Sequence, residues 1–234
     1  MSLTTNSIAT AGLLLFVSVG VSALAAEEPE SDLPLIFSED FESGDLSKWA
    51  ATDPDAWRIA EQDENHVLNQ HAQSKVETPV RSPFNRAVRR GMIVGDFQLD
   101  VDLQSTIRDY GHRDLCLFFG YQDPSHFYYV HLGKETDDHA NQIFIVNEAP
   151  RTKISTKTTD GTPWDDEWHH VRITRNVETG EIAVFFDDMD EPAMTATDKT
   201  FTWGEVGVGS FDDTGNFDNV TLHGHIVEVE SQTR

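Results

Sequence analysis

Cysteine and basic residues are both scarce in this sequence of 234 residues. It contains one cysteine, and its 17 Lys and Arg residues face 41 Asp and Glu residues, for a formal net charge of −24 at pH 7. A single cysteine excludes an intrachain disulfide. So acidic a surface repels the phosphates of nucleic acids and of anionic membranes. We therefore predict neither nucleic acid nor membrane as a partner of the mature chain, and attribute the acidity to solubility.

The apolar run near the start is short, and it lacks flanking charge. Residues 11–21 form a run of roughly 11 residues, below the roughly 20 that a membrane-spanning helix needs. Ala23-Leu24-Ala25 follows, the small-x-small pattern that precedes signal peptidase cleavage. Residues 1–26 contain no Lys, Arg, Asp or Glu, which departs from the usual basic start. We predict a secretory signal peptide over residues 1–25 and a secreted or periplasmic protein, with a membrane anchor as the alternative.

Internal repeats and amphipathic helices are also lacking, which argues against a propeller, a solenoid or a helical fold. Instead the chain contains short strand-like runs between turns. The clearest is residues 94–106, where alternate residues are apolar, as in a half-buried antiparallel strand. The other runs are residues 35–42, 57–60, 66–70, 115–121, 127–132, 142–146, 168–176, 181–187, 205–211 and 216–229. We predict an all-β antiparallel sandwich: a linker over residues 26–34, one domain over residues 35–229, and a tail over residues 230–234.

Three segments resemble a known superfamily. Residues 168–188 read WHHVRITRNVETGEIAVFFDD, which is similar to paired strands of laminin-G-like and concanavalin A-like lectin/glucanase domains. FSEDFESGDLSKW, at residues 37–49, and WGEVGVGSFDDTGNFDNVTLHG, at residues 203–224, resemble the adjacent terminal strands of the same jelly rolls. The resemblance implies a concanavalin A-like jelly roll. That scaffold hosts lectins, sugar-binding modules, glycoside hydrolases and polysaccharide lyases, so it constrains the fold more than the function.

The resemblance also implies a metal ion. Members of the superfamily often hold calcium where the first and last strands meet, and Glu39, Asp40 and Asp218 match those positions. Carboxylates and backbone carbonyls supply the oxygen ligands that calcium requires. No calcium loop of the DxDxDG type is present in the sequence, and ordinary surface acids are the alternative. A structural calcium ion at these residues is the resulting expectation.

Residues 111–147 concentrate polar and aromatic side chains on three strand-like runs. On the middle run, one face carries Tyr128, Val130 and Leu132, and the other carries Phe127, Tyr129 and His131. We predict that the first set is core. Tyr129 and His131 are then expected to point into a groove, with ligand-binding residues around them: Arg108, Arg113, His126, Asn141 and Gln142.

A catalytic role for this cluster follows from the resemblance. Jelly-roll polysaccharide lyases use a His or Tyr base, with Asn, Gln or Arg neutralising a uronate carboxylate. The resemblance therefore implies Tyr129 and His131 as catalytic candidates. Their alternative role is structural, within the sheet. The Glu-x-Asp-x-x-Glu strand of the glucanase branch is lacking in the sequence.

Other reactive residue types have simpler interpretations. Asp100 and Asp102 share one strand face, as the two carboxylates of a glycosidase can. The alternation of apolar and polar residues along this strand already accounts for both as solvent-facing positions, which is the favoured interpretation. Cys116 lies in an apolar run, so we predict a buried thiol. Four arginines fall within residues 79–91. They fit an anion-binding lip, although surface ion pairing is the favoured interpretation.

We therefore predict a secreted jelly-roll protein that binds a polysaccharide or oligosaccharide in a concave groove formed by residues 111–147. Aromatic rings stack on sugars, and amide, His and Arg side chains bind hydroxyls and carboxylates. Two alternatives stay open. One is a polysaccharide lyase or other glycoside-processing enzyme of the same fold, and the other is a protein-binding or structural adhesion module.

Overall fold

Antiparallel strands dominate the structure, a computed structural model that describes residues 31–229. The predicted signal peptide, the tail over residues 230–234 and residues 26–30 of the predicted linker lie outside the described residues. Across residues 31–229, no helix has both the length and the apolar character needed to cross a membrane.

Fifteen strands and one short 3-10 helix, Pro54–Ala56, follow one another along the described chain. The strands are β1 Leu35–Glu39, β2 Trp49–Ala51, β3 Trp57–Gln62, β4 Asn65–Gln70, β5 Asn85–Ser105, β6 Asp114–Asp123, β7 His126–Gly133, β8 Gln142–Asn147, β9 Thr152–Lys153, β10 Ser155–Lys157, β11 His169–Arg175, β12 Glu181–Phe186, β13 Met194–Thr197, β14 Gly204–Ser210 and β15 Gly215–Ile226.

The 21-residue strand β5 belongs to two sheet layers. Its C-terminal half pairs with β11 and β15, and β12, β13, β10 and β1 extend that first layer. Its N-terminal half pairs with β2 and β14, and β6, β7, β8 and β9 extend the second layer. All the pairings are antiparallel, which confirms the predicted all-β sandwich.

The main apolar core lies between the layers. β5 contributes Leu99 and Val101, and β11 contributes Val171 and Ile173, all at most 1% exposed. Full burial of side chains of this size stabilises the fold by about 1.5–3 kcal/mol each. The second layer contributes Tyr128, Val130 and Leu132 from β7 to the same core, so the predicted core face of this strand is confirmed.

A second apolar cluster covers the other face of the second layer. It includes Phe118, Phe127, Tyr129 and Phe144, with Val80 and Phe211 packed against it. Both faces of this layer are therefore apolar over much of their length. A strand that is covered on both sides reads as a continuous apolar run, which accounts for LCLFF in β6 and FYYV in β7.

The arginine-rich segment fits the surface-pairing interpretation only in part, since the exposed Arg90 pairs with Glu205 Oε2 at 2.7 Å. Residues 85–91 form the first part of β5, and Arg86 and Arg89 are buried rather than surface-paired. The guanidinium carbon of Arg86 lies 5.5 Å from the ring centroid of Phe127, and that of Arg89 lies 4.9 Å from Phe37. Cation–π contact and burial of the aliphatic stem allow an arginine to occupy such an inward position.

His170 links β11 to β5 through two aspartates. Its Nδ1 lies 2.7 Å from Asp102 Oδ1, and its Nε2 lies 3.1 Å from Asp100 Oδ1. Arg172 Nε donates to the same Asp100 oxygen at 2.6 Å. Asp100, predicted to be solvated, is thus largely buried and paired. The hydrogen bonds to Asp100 and Asp102 raise the pKa of His170 to about 10.

This histidine makes stability depend on pH. The folded-state pKa lies above the unfolded one, so the stabilisation is complete below the unfolded pKa of about 6.5 and is lost as pH rises towards 10. We expect His170→Gln to lower the free energy of unfolding by about 1.5–3 kcal/mol at pH 6, since hydrogen bonds to charged groups are worth this much. The difference from wild type should shrink by pH 10. Urea denaturation across this range measures it, and a difference that grows with pH would contradict the assignment.

Candidate functional site

A polar pocket of about 260 Å³ opens where β6 begins and β7 ends. Residues from β6, β7, the turn after β14 and four other loops line it, and we call it the β6/β7 pocket. Its lining residues are Arg81, His112, Asp114, His131, Asp137, His139, Ala140, Arg151, Phe211 and Asp212. The strand pairing therefore gathers charged side chains that lie far apart in the sequence.

Asp114 and His131 are the buried polar members of the pocket. His131 lies opposite Cys116 across the β6 and β7 pairing, and Asp114, two residues before Cys116, shares its strand face. Asp114 is 0% exposed and His131 is 5% exposed. His131 Nε2 lies 3.2 Å from Asp114 Oδ2, but the two groups are not aligned as a hydrogen bond.

Three polar atoms of this pair have no hydrogen-bond partner in the described part of the chain. Within residues 31–229, the two ring nitrogens of His131 and the Oδ1 atom of Asp114 all lack a hydrogen-bond partner. Buried polar groups nearly always have partners. Orphaned atoms at the base of a pocket are therefore groups that a ligand can satisfy.

The backbone of the turn after β14 fixes Asp114 in place. Asp114 Oδ2 accepts a hydrogen bond from the Phe211 amide at 2.8 Å. In return, the Asp114 amide donates to Asp213 Oδ2 at 2.8 Å, and the Tyr110 hydroxyl donates to Asp213 Oδ1 at 2.7 Å. These bonds hold the start of β6 and the turn together, so the base of the pocket is rigid.

Negative charge is concentrated at this base. Carboxylate oxygens of Asp114, Asp212 and Asp213 lie within 4.8 Å of one another. Burial, together with the charges of Asp114 and Asp212, raises the pKa of Asp213 to about 6. Burial and the Asp114 charge also raise the pKa of Asp212. The pocket therefore favours cationic or hydrogen-bond-donating groups at its base.

The wall of the pocket carries the opposite charge. The guanidinium carbon of Arg151 lies 4.2 Å from the ring centroid of Phe211 and 5.3 Å from that of Phe144. Arg151 Nη2 donates to the His139 carbonyl at 3.2 Å, whereas Nε and Nη1 are buried without a partner in the described part of the chain. Arg81 is the second cation lining the pocket. A ligand that enters meets donors on one side and acceptors on the other.

Tyr129, predicted to share the groove with His131, lies beneath the pocket. Its ring stacks on Phe144 with centroids 5.1 Å apart and lies 6.3 Å from the His131 ring. The residue is 0% exposed, and burial raises the pKa of its hydroxyl well above the usual value. The hydroxyl has no hydrogen-bond partner among the described residues. Tyr129 therefore supports the His131 ring from below.

Asn141 and Gln142, predicted to bind the ligand, do not line the pocket but brace one of its loops. Asn141 is fully buried; its Nδ2 donates to Thr136 Oγ1 at 2.7 Å, and its Oδ1 accepts from Thr162 Oγ1 at 2.9 Å. Gln142 lies opposite His131 in the β7 and β8 register, and its Nε2 donates to the Asp137 carbonyl at 3.0 Å. Both amides fix the loop that contributes Asp137 and His139 to the pocket.

The other three predicted ligand residues lie away from this pocket. Arg113 is buried and donates to Ser105 Oγ at 2.9 Å. Arg108 is exposed, with its guanidinium carbon 5.6 Å from the Tyr110 ring centroid. His126 begins β7, about 17 Å along the strand from His131 at the usual rise per residue, and its Nδ1 lies 2.8 Å from Asp123.

Sequence reasoning missed Asp114, Arg81, Arg151 and Asp212. Asp114 alone had a local signal, because a carboxylate at an inward position of the apolar run DLCLFF demands an explanation. The other three reach the pocket through loops, and no local pattern marks them.

The acidic residues near the first and last strands are arranged more loosely. Asp218 Oδ2 accepts from Asn65 Nδ2 at 2.8 Å, and burial, with the charges of Asp102 and Asp40, raises the pKa of Asp218. Within residues 31–229, Glu39, Asp40 and Asp218 do not bring three possible metal-ligating atoms within 4.8 Å of one another. Groups of three residues that do so lie at the base of the β6/β7 pocket.

Comparison with known proteins places the fold. No protein-family model matches the sequence, and no curated protein matches it. Among solved structures, the chain is similar to the carbohydrate binding module CBM66 from Bacillus subtilis, with a TM-score of 0.53 and 18% identity over 76% of this chain and 96% of that one. It is also similar to basic winged bean lectin with Tn-antigen, with a TM-score of 0.53 and 15% identity over 82% and 98%.

A third similar structure belongs to a larger protein. The GH43 BlXynB protein from Bacillus licheniformis matches with a TM-score of 0.55 and 13% identity, over 85% of this chain but 41% of that one. At these identities the likenesses show the fold. The chain has the concanavalin A-like sandwich that the sequence resemblance implied.

Proposed function

We propose that the protein binds a polysaccharide or oligosaccharide in the β6/β7 pocket. The observation that carries the proposal is the buried pair Asp114 and His131 at the base of an open pocket, because Asp114 Oδ1 and both ring nitrogens of His131 lack hydrogen-bond partners within residues 31–229. Two structures of similar fold support the ligand class, since one is a carbohydrate binding module and the other a lectin with a bound antigen.

The chemistry of the pocket suits a sugar residue. Asp114 and Asp212 accept hydrogen bonds from hydroxyl groups, His131 donates or accepts, and Arg81 donates to hydroxyl or carboxylate oxygens. A volume of about 260 Å³ falls below the roughly 300–1,000 Å³ of pockets for drug-sized ligands. We therefore expect one sugar residue, such as a chain end or a side branch, to occupy it.

Glycan binding tests this proposal. We expect a glycan array to identify a ligand, and Arg81→Gln and Asp212→Asn each to weaken it about tenfold or more, because hydrogen bonds to charged groups are worth about 1.5–3 kcal/mol. His126→Gln is the matched control, since this residue lies on the same strand as His131 but outside the pocket. Absence of binding to every neutral and acidic glycan, or full affinity in both pocket variants, would contradict the proposal.

A second candidate is an elimination reaction on a uronate-containing polysaccharide in the same pocket. The observation that favours it is the placement of His131 beside Asp114 and in a pocket with Arg81 and Arg151. His131 would be the base, Tyr129 would support its ring, and the arginines would neutralise the carboxylate. We expect new ultraviolet absorbance from the unsaturated product and its loss in His131→Ala. Activity that survives in that variant would exclude this base.

Secretion and calcium binding are proposed with the function. Cleavage after residue 25 would be checked by N-terminal sequencing of the exported protein, and an intact N-terminus would exclude it. Calcium at Glu39, Asp40 and Asp218 is proposed from the sequence resemblance alone, because these residues form no grouping with ligand atoms within 4.8 Å in residues 31–229. Calcium should raise the unfolding temperature of the wild type but not of Asp218→Asn, and equal shifts would exclude this site.

A further inference from the structure

Asp114, Cys116 and His131 bring three different donor atoms together. Asp114 and Cys116 project from the same face of β6, and His131 faces Cys116 from β7. Cys116 Sγ lies 3.4 Å from Asp114 Oδ2, and His131 Nε2 lies 3.2 Å from the same oxygen. All three donor atoms lie within 4.8 Å of one another.

These separations match the edges of a small coordination sphere. Bonds of about 2.0–2.3 Å from zinc to oxygen, nitrogen and sulfur, at tetrahedral angles, place the donor atoms about 3.3–3.7 Å apart. The distances from Asp114 Oδ2 to Cys116 Sγ and to His131 Nε2 are 3.4 and 3.2 Å, close to this range. His131 approaches the carboxylate at this distance without hydrogen-bond alignment, so its Nε2 atom is not engaged in a hydrogen bond within residues 31–229 and can bind an ion.

The surroundings hold the donors in position. The centroid of the His131 ring lies 6.0 Å from that of Phe211 and 6.3 Å from those of Tyr129 and Phe144. Neighbouring strands fix the relative positions of the three backbones. Little rearrangement is therefore needed to bind an ion, which favours affinity.

We propose that Asp114, Cys116 and His131 form a binding site for Zn²⁺ at the base of the β6/β7 pocket. A thiolate, an imidazole and a carboxylate form a donor set typical of zinc, whereas calcium takes oxygen ligands. Cys116 binds as the thiolate and releases its proton to solvent. The fourth position faces the pocket, where water, Asp212 or a ligand oxygen completes the sphere. The site does not require glycan binding, but it uses His131 and Asp114, so an ion bound there excludes the elimination reaction in which His131 is the base.

Cobalt substitution tests the site on the whole protein. Cys116 is the only cysteine in the chain, so a thiolate-to-cobalt charge-transfer band can arise from no other residue. We expect one equivalent of Co²⁺ to produce this band together with the visible spectrum of tetrahedral cobalt, and Zn²⁺ to abolish both. Absence of the band at saturating Co²⁺ in the folded wild type would overturn the proposal.

Substitutions distinguish zinc binding at this site from zinc binding by the neighbouring aspartates. We expect Cys116→Ser to lose the band, and His131→Gln to weaken Zn²⁺ binding more than about 100-fold, above the effect of outer hydrogen-bond partners of a metal site. His139→Gln, which removes an exposed histidine of the same pocket, should bind normally. Unchanged Zn²⁺ affinity in Cys116→Ser would place the ion on Asp114, Asp212 and Asp213 instead and overturn the thiolate site. Thermal unfolding of each metal-free variant checks that it is folded.

Discussion

Gly209→Ala is expected to lower the free energy of unfolding by more than about 3 kcal/mol, near the upper end of the cost of overpacking. Gly209 belongs to β14, which is paired with β5 on one side and β6 on the other. A Cβ atom there would lie 1.9 Å from the backbone oxygen of Asn85 and 3.2 Å from the Phe118 ring. This clash can be relieved only if β14 moves away from β5. That movement breaks the strand pairing that positions the turn after β14 at the β6/β7 pocket.

Gly44→Ala is the matched control for this substitution. Gly44 has a φ of 67°, and no neighbouring atom lies within 4 Å of the position that a Cβ atom would take. Alanine therefore meets only the backbone cost of the left-handed conformation, about 1–2 kcal/mol. Urea denaturation of both variants measures the difference. Equal costs for the two variants would show that β5 and β14 are not closely packed at Gly209.

Arg113→Met is expected to destabilise the protein by about 3 kcal/mol, because it leaves buried acceptors unpaired. The Arg113 side chain is 2% exposed. Its Nε donates to Ser105 Oγ and its Nη2 to the Ser105 carbonyl, both at 2.9 Å, and Nη2 also reaches Asp166 at 3.0 Å. Methionine retains the unbranched stem and removes all of these donors.

Arg108→Met provides the comparison, since Arg108 is exposed and should change stability by no more than about 0.5 kcal/mol. Chemical denaturation and the glycan assay together identify the role of Arg113. A stable Arg113→Met variant that has lost glycan affinity would contradict the structural role and favour the ligand contact predicted from the sequence.

Alternation along a strand was sufficient to predict the central core. In β5, Leu99, Val101 and Leu103 are buried between the layers as their spacing indicated. The same local rule separated Val130 and Leu132 from Tyr129 and His131 on β7. Side-chain direction in a strand depends on residue parity, and parity is a property of the sequence itself.

Coverage of the outer face depends on residues far away in the chain. Tyr129 is buried because Phe144 and neighbouring rings enclose it, with Phe211 and Val80 closing the cluster. No residue pattern within β7 predicts that these rings bury Tyr129. The β6/β7 pocket has the same origin, since the pairing of β14 with β6 brings Asp212 to Asp114. Local sequence therefore predicted one member of the pocket, His131, and not its partners.

The most direct test of the central proposal is a crystal structure of the protein with the glycan that binds best in the array. We predict a sugar residue in the β6/β7 pocket, with hydroxyl groups bonded to Asp114 or His131 and with Arg81 at its edge. The first layer carries a larger cavity of about 570 Å³, lined in part by Thr174 and Thr195. A sugar bound there, with the β6/β7 pocket filled by solvent, would contradict the proposal.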